Sequence, residues 1–481
     1  MSARTRTLWT FVITSVALFM TQLDNLVVTT ALPVIRLDLH ASLSSLEWTV
    51  NAYTLTFAVF LLTGATLGER FGRRRLFLIG LAVFTLGSAA AALAPSAGWL
   101  IVARAVQGSG SAIVTPLTLT LLSAAVSVER RGAALGAWGA VAGLAISSGP
   151  LVGGAVVQGW SWQTIFWINV PIGLALLPLA WRRLDESYGT STKLDATGVT
   201  LASTGLFGIV LGLVRANELG WTSSYVLTSL VTGSLLVLAF VRWELRTEQP
   251  MLPMRLFRSR GFAAANGASV LMFFGMFGSI FLLSQALQTM QGYSPLGAGL
   301  RMLPWTGMPI VVAPLAGILA DKIGSRPVVA TGLALQAIGL GWLAIISTPG
   351  RSFPEMIPAF VVSGMGMAMF FAPTANLVLS TVRRDEEGIA SGAANALREL
   401  GGVFGVAILA SVFSQHGGYA SPHTFAMGLR PAVLLGAAAV AVSAGVLLLV
   451  PRRRSTGTET HEIGIDPQAG LAPAELIGAG A

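Results

Sequence analysis

The chain is 481 residues long, and 54% of its residues are hydrophobic while only 11% are charged. A soluble globular domain carries roughly 25% charged residues, so this composition excludes that class and indicates a protein embedded in a lipid bilayer. The absence of cysteine excludes disulfides, thiolate metal sites and cysteine nucleophiles. The net charge of +9 does not predict nucleic-acid binding, because the basic residues lie in short loops between apolar stretches.

Long uncharged windows predict membrane-spanning helices, each of which needs about 20 residues to cross a hydrocarbon core about 30 Å thick. The window 132–181 is long enough for two spans separated by a turn at 159–162. With an N-terminal segment near 8–33, the windows predict fourteen spans and an all-α polytopic membrane fold. The windows are 48–68, 76–103, 105–128, 132–181, 196–214, 219–241, 261–300, 302–320, 327–350, 356–382, 400–429 and 431–451.

The distribution of basic residues predicts the orientation of these spans. If both termini are cytoplasmic, 23 of the 30 basic residues fall in cytoplasmic loops and five at outer positions. Cytoplasmic loops of membrane proteins are enriched in Lys and Arg, so we expect both termini inside the cell. The first span continues past the apolar region of a signal peptide and has no small-x-small cleavage site before Asp24, so we expect it to be retained.

The first span contains an acid, Asp24, which is flanked by Gln22 and Asn25. A carboxylate at bilayer depth is costly, so its protonation becomes accessible near neutral pH. This predicts a proton-coupling site, with Gln22 and Asn25 as candidates to line a substrate cavity. The alternative is a carboxylate that pairs with an arginine and serves structure only.

The second span carries Glu47 and Asn51 on one face, as further candidates for a cavity wall, and ends in a loop that occurs twice in the chain. Both copies, 65–74 and 317–326, follow the pattern small-x-Leu-small-acid-base-x-Gly-x-Arg. Such a repeat predicts two homologous bundles, as in secondary transporters. The residues of interest are Glu69, Arg70, Gly72 and Arg73 in the first copy, and Asp321, Gly324 and Arg326 in the second.

The acids of the two hairpins suggest a cytoplasmic gate. Glu69 and Asp321 can each bond exposed helix N–H groups, or an arginine of a neighbouring helix, in one conformation only. The alternative is that the adjacent bases simply signal membrane topology.

The fourth span contains Arg104, with Gln107 and Gly108 on the same helical face, and Gln107 is a further candidate to line a substrate cavity. A cation at this depth needs an anionic or carbonyl partner, so Arg104 is either part of proton coupling or a packing anchor.

The fifth span is lined with small residues, including Gly149, Pro150, Gly153 and Gly154. This pattern predicts close helix packing with a proline kink. Its functional interpretation is a seal against leakage and an interface on which two halves rock.

The two spans within 196–241 lie between basic segments and read as an insertion. We therefore predict an N-terminal six-helix bundle (1–181), an inserted helix pair with flanking basic segments (182–260) and a C-terminal six-helix bundle (261–451). A polar, disordered tail (452–481) follows.

The second bundle holds further polar candidates. Gln285, Gln288, Asn376 and Asn395 lie on apolar helices and either line a cavity or form interhelical hydrogen bonds. Glu399 follows Arg398 and lies either at mid-depth or near the cytoplasmic mouth, where it is a second candidate for proton coupling.

These motifs, in this order, resemble the Major Facilitator Superfamily, and specifically its fourteen-span drug–proton antiporters of the EmrB and QacA type. The resemblance covers about residues 10–450 and rests on the first-span segment 23–33, both hairpins, the fourth-span segment 104–110 and the antiporter motif 149–154. Further segments that resemble the branch are 166–173, 250–257 and 292–300. Departures from its pattern are Ala65 and Ala145, where the motifs have Gly, and Glu69, where Asp is usual.

The resemblance implies two six-helix bundles that alternate access to a central cavity. It further implies a proton-coupled antiporter in the bacterial cytoplasmic membrane that exports amphipathic drugs, toxic compounds or natural products. The expected partners are the small-molecule substrate, protons and the lipid bilayer, with no nucleic acid, cofactor or metal, and we expect a monomer.

Three other classes of protein fit the sequence less well. The alternative within transport is a proton-coupled symporter that imports a peptide or small metabolite. An enzyme is not predicted, because the chain has no His-Glu-x-x-His motif, no cysteine and no cluster of acids within its spans. A passive channel is disfavoured, because two bundles with a lone buried acid suit coupled exchange better.

Overall fold

The structure is a computed structural model that describes residues 3–126, 131–188, 195–248, 250–379, 382 and 387–448. These residues form α-helices joined by short loops, with one 3₁₀ helix and no strand. The predicted tail, 452–481, lies outside them. The first half contains α1 (Ala3–Asp38), α2 (Leu43–Phe71), α3 (Arg73–Ala92), α4 (Ala97–Ala125), α5 (Arg131–Gly159), α6 (Thr164–Trp167) and α7 (Asn169–Arg183).

The middle of the chain contains α8 (Ala196–Leu219), α9 (Ser224–Glu244) and the 3₁₀ helix (Met254–Arg258). The second half contains α10 (Arg260–Thr289), α11 (Pro295–Thr306), α12 (Met308–Ile323), α13 (Ser325–Ile346), α14 (Phe353–Leu379), α15 (Glu387–His416) and α16 (Pro422–Leu448).

Most of these helices are long and apolar enough to cross a bilayer. Within the described residues twelve spans meet that criterion. α2 bends by 49° between Leu43–Leu61 and Thr63–Phe71, and it makes a thirteenth if its two parts are counted as one span. α6 with α7, and α11 with α12, each count as a single span. The all-helical polytopic fold is therefore confirmed, while the count of fourteen spans stays a prediction.

The predicted breaks fall where polar turn residues interrupt the apolar windows. α5 ends at Gly159, where the predicted turn at 159–162 begins, and the window 261–300 is broken between Thr289, the last residue of α10, and Pro295, the first of α11. Several helices begin with a side chain that accepts a hydrogen bond from the first turn, which satisfies an otherwise unpaired N–H group. These N-caps are Ser42, Ser96, Asp195, Ser259 and Ser294.

The repeated hairpin loop forms the same turn twice. Gly72 joins α2 to α3 with φ 104° and ψ 126°, and Gly324 joins α12 to α13 with φ 90° and ψ 150°. Both residues have positive φ, which side chains larger than hydrogen rarely adopt, so glycine is required there. The sequence repeat is thus a structural repeat.

Helix packing follows the two halves of the chain. In the first half α1 packs against α5, α4 and α7, while α4 also packs against α2 and α3. In the second half α10 packs against α15 and α16, and α13 against α14 and α16. The halves meet where α2 contacts α15, α5 contacts α11 and α1 contacts α10.

The middle helices α8 and α9 pack against each other, and α8 lies against the junction of α2 and α15. An apolar cluster holds it there. The buried members of this cluster are Leu55 and Val59 of α2, Val210, Leu213 and Val214 of α8, and Val403 and Ala407 of α15. α8 therefore contacts both halves of the molecule.

Candidate functional site

A cavity of about 1060 Å³ lies between the two halves. Its central wall is apolar and aromatic, with Phe57 from α2, Phe273 and Phe277 from α10, and Phe371 from α14. At the end that carries the α2–α3 turn the wall is charged, and we call this end the cavity mouth. The charged residues of the mouth are Glu69, Asp195, Glu244, Glu248, Arg255 and Arg258. An apolar chamber with a charged mouth suits an amphipathic small molecule.

The opposite end of the cavity is closed by contacts between α1 and α10. Ser284 Oγ donates to the backbone oxygen of Thr29 at 3.2 Å, and Gln288 Nε2 donates to that of Thr30 at 2.9 Å. These bonds join the two halves directly.

A second layer of contacts closes the same end. The Arg36 guanidinium lies 3.8 Å from the centre of the Tyr419 ring, and the Tyr419 hydroxyl donates to Gln285 Oε1 at 2.5 Å. Burial raises the pKa of the Tyr419 hydroxyl, so it remains a hydrogen-bond donor at neutral pH. Tyr419 lies in the loop between α15 and α16, and Arg36 lies in the last turn of α1. This layer therefore also bridges the two halves.

The small residues of α5 bring that helix against both halves. A Cβ atom at Gly149 would lie 2.8 Å from Leu26 Cβ, and one at Gly153 would lie 2.5 Å from the Val27 oxygen, both on α1. On the other side, Gly154 contacts the backbone of Pro295, and Gly299 of α11 contacts the Pro150 oxygen. The structure thus shows the close packing expected of the fifth span, with α11 as its partner across the interface.

Asp24 lies at the centre of a hydrogen-bonded cluster inside the first half. Its Oδ2 forms an ion pair with the Arg104 guanidinium. Its Oδ1 accepts from Gln107 Nε2 at 3.1 Å and from Asn169 Nδ2 at 2.7 Å. Ser88 Oγ accepts from both amides at 3.0 Å and donates to a backbone oxygen of α6. Both oxygens of the buried carboxylate are therefore satisfied.

Arg104 has further partners in the same cluster. Its Nε donates to the backbone oxygen of Thr49 at 3.2 Å, and its guanidinium lies 4.2 Å from the centre of the Tyr53 ring. The Tyr53 hydroxyl donates to the Thr21 backbone oxygen at 2.9 Å, and its oxygen lies 2.9 Å from Ser111 Oγ, which can donate to it. The cluster ties α1, α2, α3, α4 and α7 together through polar contacts.

The cluster lies behind the cavity wall and not on it. Asp24 is 1% exposed and Arg104 is fully buried, and neither lines the cavity. An acid paired with an arginine is the arrangement expected if Asp24 serves structure only. Its neighbours Gln22 and Asn25 do line the cavity.

Glu399 is the acid that lies deepest on the cavity wall. It lies 12 residues after Glu387, at the start of α15, which places it about 18 Å along that helix. Its Oε2 is buried and has no hydrogen-bond partner among the described residues. Arg398 is its charged neighbour, and the Arg398 guanidinium lies 5.6 Å from the centre of the Phe273 ring. Of the three residues predicted to couple protons, Asp24 and Arg104 therefore lie in the buried cluster, and Glu399 lies on the cavity wall.

Asn395 lines the cavity, and the remaining polar candidates do not. Glu47 and Asn51 are fully buried in α2, and neither amide atom of Asn51 has a hydrogen-bond partner in the described part of the chain. Gln107 belongs to the Asp24 cluster, while Gln285 and Gln288 belong to the closed end. Asn376 is exposed and lies outside the cavity lining, so the expectation that it lines the cavity is corrected.

The first hairpin is held by a residue that the sequence patterns did not identify. The N–H groups of Arg74 and Arg75 donate to the Glu186 carboxylate at 2.9 and 3.3 Å, which caps the start of α3. Glu69 lies 3.8 Å from Arg73 of the same hairpin, and Arg70 is exposed. Glu186 therefore occupies the N–H groups at this turn, and Glu69 pairs instead with an arginine of the neighbouring helix, which is the other partner expected of it.

The second hairpin is more open. Asp321 is exposed, and Arg326 Nε donates to the backbone oxygen of Leu447 in α16 at 2.9 Å. Neither hairpin acid reaches the other half of the molecule within the described residues. Any latch between the halves at this end is therefore open in this conformation.

Sequence reasoning also missed Ser88 and the aromatic wall of Phe273, Phe277 and Phe371. Nothing in the pattern around Ser88 sets it apart from other small residues of an apolar helix. Asn169 had a usable signal, since it is an amide within an apolar segment. Among the described residues, no group of three His, Cys, Asp or Glu side chains is placed to hold a metal ion.

Two helical halves around one cavity that is closed at one end define a polytopic membrane carrier. The chain belongs to the Major Facilitator Superfamily, because the model of that family matches residues 14–405 and 266–473. A solved structure with the same fold is a POT family transporter in complex with a thioalcohol-conjugated peptide. The TM-score is 0.69 at 15% identity, with 91% of this chain and 95% of that chain covered.

Curated relatives cover most of the chain. It is 35% identical over 409 residues to the multidrug resistance protein Stp of Mycobacterium tuberculosis (strain CDC 1551 / Oshkosh), covering 85% of this chain and 76% of that protein. It is 32% identical over 472 residues to the tetracenomycin C resistance and export protein of Streptomyces glaucescens, covering 98% and 84%. The chain is therefore a transporter of this superfamily with relatives named for drug resistance and natural-product export.

Proposed function

We propose that this protein is a proton-coupled antiporter that exports amphipathic drugs, toxic compounds or natural products across the bacterial cytoplasmic membrane. The observation that carries this proposal is the cavity between the halves, which is closed at one end and has Glu399 on its apolar wall. The names of the relatives, multidrug resistance and tetracenomycin C export, support the cargo class.

The orientation and the number of spans form part of the proposal. α5 is 29 residues long, or about 43 Å, which is enough to cross the bilayer and brings the total to fourteen. With both termini cytoplasmic, the basic α2–α3 turn and the cavity mouth face the cytoplasm. The conformation is then open inward, ready to load cargo from the cell.

Glu399 is where proton and cargo compete. Among the described residues its Oε2 has no hydrogen-bond donor, so this oxygen can take up a proton or bind a polar or cationic group of the cargo. In the outward-open state a proton taken up at this position displaces the cargo. One charge moving through 100 mV supplies about 2.3 kcal/mol, so one or two protons sustain a useful gradient.

The Asp24–Arg104 pair links this exchange to the packing of α1 against α4 in the first half. Because the pair joins α1 to α4, protonation of Asp24 would remove the anion that holds Arg104 and free the two helices to shift. Proton entry at Asp24 therefore favours the rearrangement, while Glu399 exchanges the cargo.

The test uses Glu399→Gln in proteoliposomes with an imposed pH gradient. A drug or dye selected by growth inhibition in an efflux-deficient host serves as cargo. Glutamine keeps the shape of the side chain but cannot take up a proton, so accumulation driven by the gradient should fall at least tenfold while cargo–cargo exchange persists.

Glu355→Gln is the matched control, because Glu355 lies outside the cavity lining and its side chain is half exposed in a pair with Arg351. This variant should transport like the wild type. Undiminished gradient-driven transport by Glu399→Gln would remove Glu399 from the mechanism. Direction separates the two transport hypotheses, since an antiporter accumulates cargo in an acidic lumen and a symporter accumulates it when the outside is acidic.

A further inference from the structure

Two acidic side chains of the inserted helices face each other at the cavity mouth. Asp195 caps the start of α8, and Glu244 is the last residue of α9. Both line the cavity, yet Glu244 is only 3% exposed. A buried acid at the rim of a water-filled opening needs a partner for each of its oxygens.

Each carboxyl group has one oxygen fixed by protein donors. Asp195 Oδ1 accepts from the Gly198 N–H and from Trp243 Nε1, both at 2.8 Å. Glu244 Oε2 accepts from the Leu252 N–H at 2.8 Å. These three bonds fix the orientation of both groups and join the start of α8, the end of α9 and the segment that follows it.

The other oxygen of each carboxyl group lies next to Gly198. Asp195 Oδ2 and Glu244 Oε1 are buried and find no donor among the described residues. A Cβ atom at Gly198 would lie 2.5 Å from the first and 2.7 Å from the second, so both oxygens border one small space. Two ionised carboxylates offer acceptors only, so these two oxygens can bond to each other only if one of the groups carries a proton.

The nearby basic side chains do not neutralise the two acids in place of that proton. In the described part of the chain, neither acid forms an ion pair with Arg255 or Arg258, which lie on the same wall. The charged groups on the elements around the pair are Glu69 of α2, Arg242 of α9, Arg246 and Glu248 after α9, Arg255 and Arg258 of the 3₁₀ helix, and Arg398 and Glu399 of α15.

We propose that Asp195 and Glu244 share one bound proton and form a protonation site at the cavity mouth, distinct from Glu399. Loss of this proton leaves two facing anions, and their repulsion separates the start of α8 from the end of α9. In transport, this site would release protons from the cavity to the cytoplasm, and that role rests on the proposed function. The existence of the shared proton does not depend on the proposed function.

The proton is tested on the purified full-length protein with a hydrophobic carbodiimide, which adds to protonated carboxyl groups. Adducts at Asp195 and Glu244 are quantified by peptide mass spectrometry between pH 5 and pH 9. We expect the pair to be labelled at pH 7 at least fivefold more than the exposed Glu355, with labelling lost towards pH 9.

Two variants sharpen this test. In Asp195→Asn the amide donates to Glu244 in place of the shared proton, so labelling of Glu244 at pH 7 should fall at least fivefold. Glu248→Gln removes an acid of the same wall outside the pair and should leave that labelling within twofold of the wild type. Labelling of the pair no greater than that of Glu355, or unchanged by Asp195→Asn, would overturn the proposal.

An infrared titration detects the shared proton without a reagent, and it replaces the labelling test if the carbodiimide cannot enter the cavity. The difference spectrum of wild type minus Glu244→Gln should contain one protonated-carboxyl band at pH 7, and its absence refutes the shared proton. Both measurements are made without transport, so a failure of the proposed antiport leaves their outcome intact.

In proteoliposomes Glu244→Gln should keep cargo exchange and lower gradient-driven accumulation at least threefold. Unchanged accumulation would refute the role of the site in proton release, but not the shared proton.

Discussion

Asp24 and Arg104 form a buried ion pair whose partners come from five helices of the first half. Asp24 and Arg104 are 1% and 0% exposed, so neither charge is solvated by bulk water. Removing one partner of such a pair leaves an uncompensated charge in a medium of low dielectric constant, which typically costs about 3–5 kcal/mol. The pair is thus a structural constraint whatever its role in transport.

Asp24→Asn and Arg104→Gln should each destabilise the protein by about 3–5 kcal/mol, because each leaves a buried charge unpaired. The double variant should be more stable than the sum of the two losses implies, because it removes both charges. Thermal unfolding in detergent, followed by tryptophan fluorescence, measures the coupling between the two positions. Strictly additive losses would contradict a direct interaction.

Single residues show both the reach and the limit of sequence reasoning. Asp24, Arg104 and Gln107 stood out because charged and amide groups are rare within apolar helices. Their meeting could not be predicted, since Asp24 and Arg104 are 80 residues apart and only the packing of α1 on α4 brings them together. Glu244 escaped notice because a charge at the end of an apolar window is ordinary.

Among the helices, α5 packs closely against α11 near the closed end. Gly154 touches the backbone of Pro295, and Gly299 of α11 touches the backbone of Pro150, so the two helices approach through main-chain atoms. A side chain at Gly154 has no space while this end is closed.

Gly154→Val should therefore shift the protein away from the closed arrangement. Because the chain has no cysteine, Ser284→Cys at the α1–α10 contact can report on this end. We expect a maleimide to label Cys at position 284 at least fivefold faster in the Gly154→Val background. Gly143→Val in the same helix is the control, since a Cβ atom there meets nothing within 4 Å, and equal rates in both backgrounds would refute the role of Gly154.

Helices and turns were the most predictable elements. The uncharged windows located the helices, and the repeated loop predicted two equivalent turns, which Gly72 and Gly324 form. The cap on α3 was not predictable, because Glu186 is 112 residues from Arg74 along the chain and only the docking of the segment after α7 brings it there.

At the scale of the whole molecule, the two halves and the middle pair α8–α9 enclose one cavity. Composition indicated a membrane protein, and the repeat indicated two related halves. The position of α8 against α2 and α15 was not predictable, because its apolar surface would fit many neighbours equally well.

Topology can be tested with single cysteines in this cysteine-free chain. Ser161→Cys, just after α5, and Thr222→Cys, between α8 and α9, should react with a membrane-impermeant maleimide in intact cells. Thr247→Cys, after α9, should react only after the membrane is permeabilised. Protection of Cys at position 161 in intact cells would show that α5 does not cross and would contradict the count of fourteen spans.

The middle helices α8 and α9 supply Asp195 and Glu244 to the cavity mouth, which the segment after α9 also lines. The helices before α8 and after α9 alone consequently do not complete this mouth. Under the proposed function cargo enters here, so changes confined to α8 and α9 would alter which compounds are admitted without altering Glu399 or the Asp24–Arg104 pair.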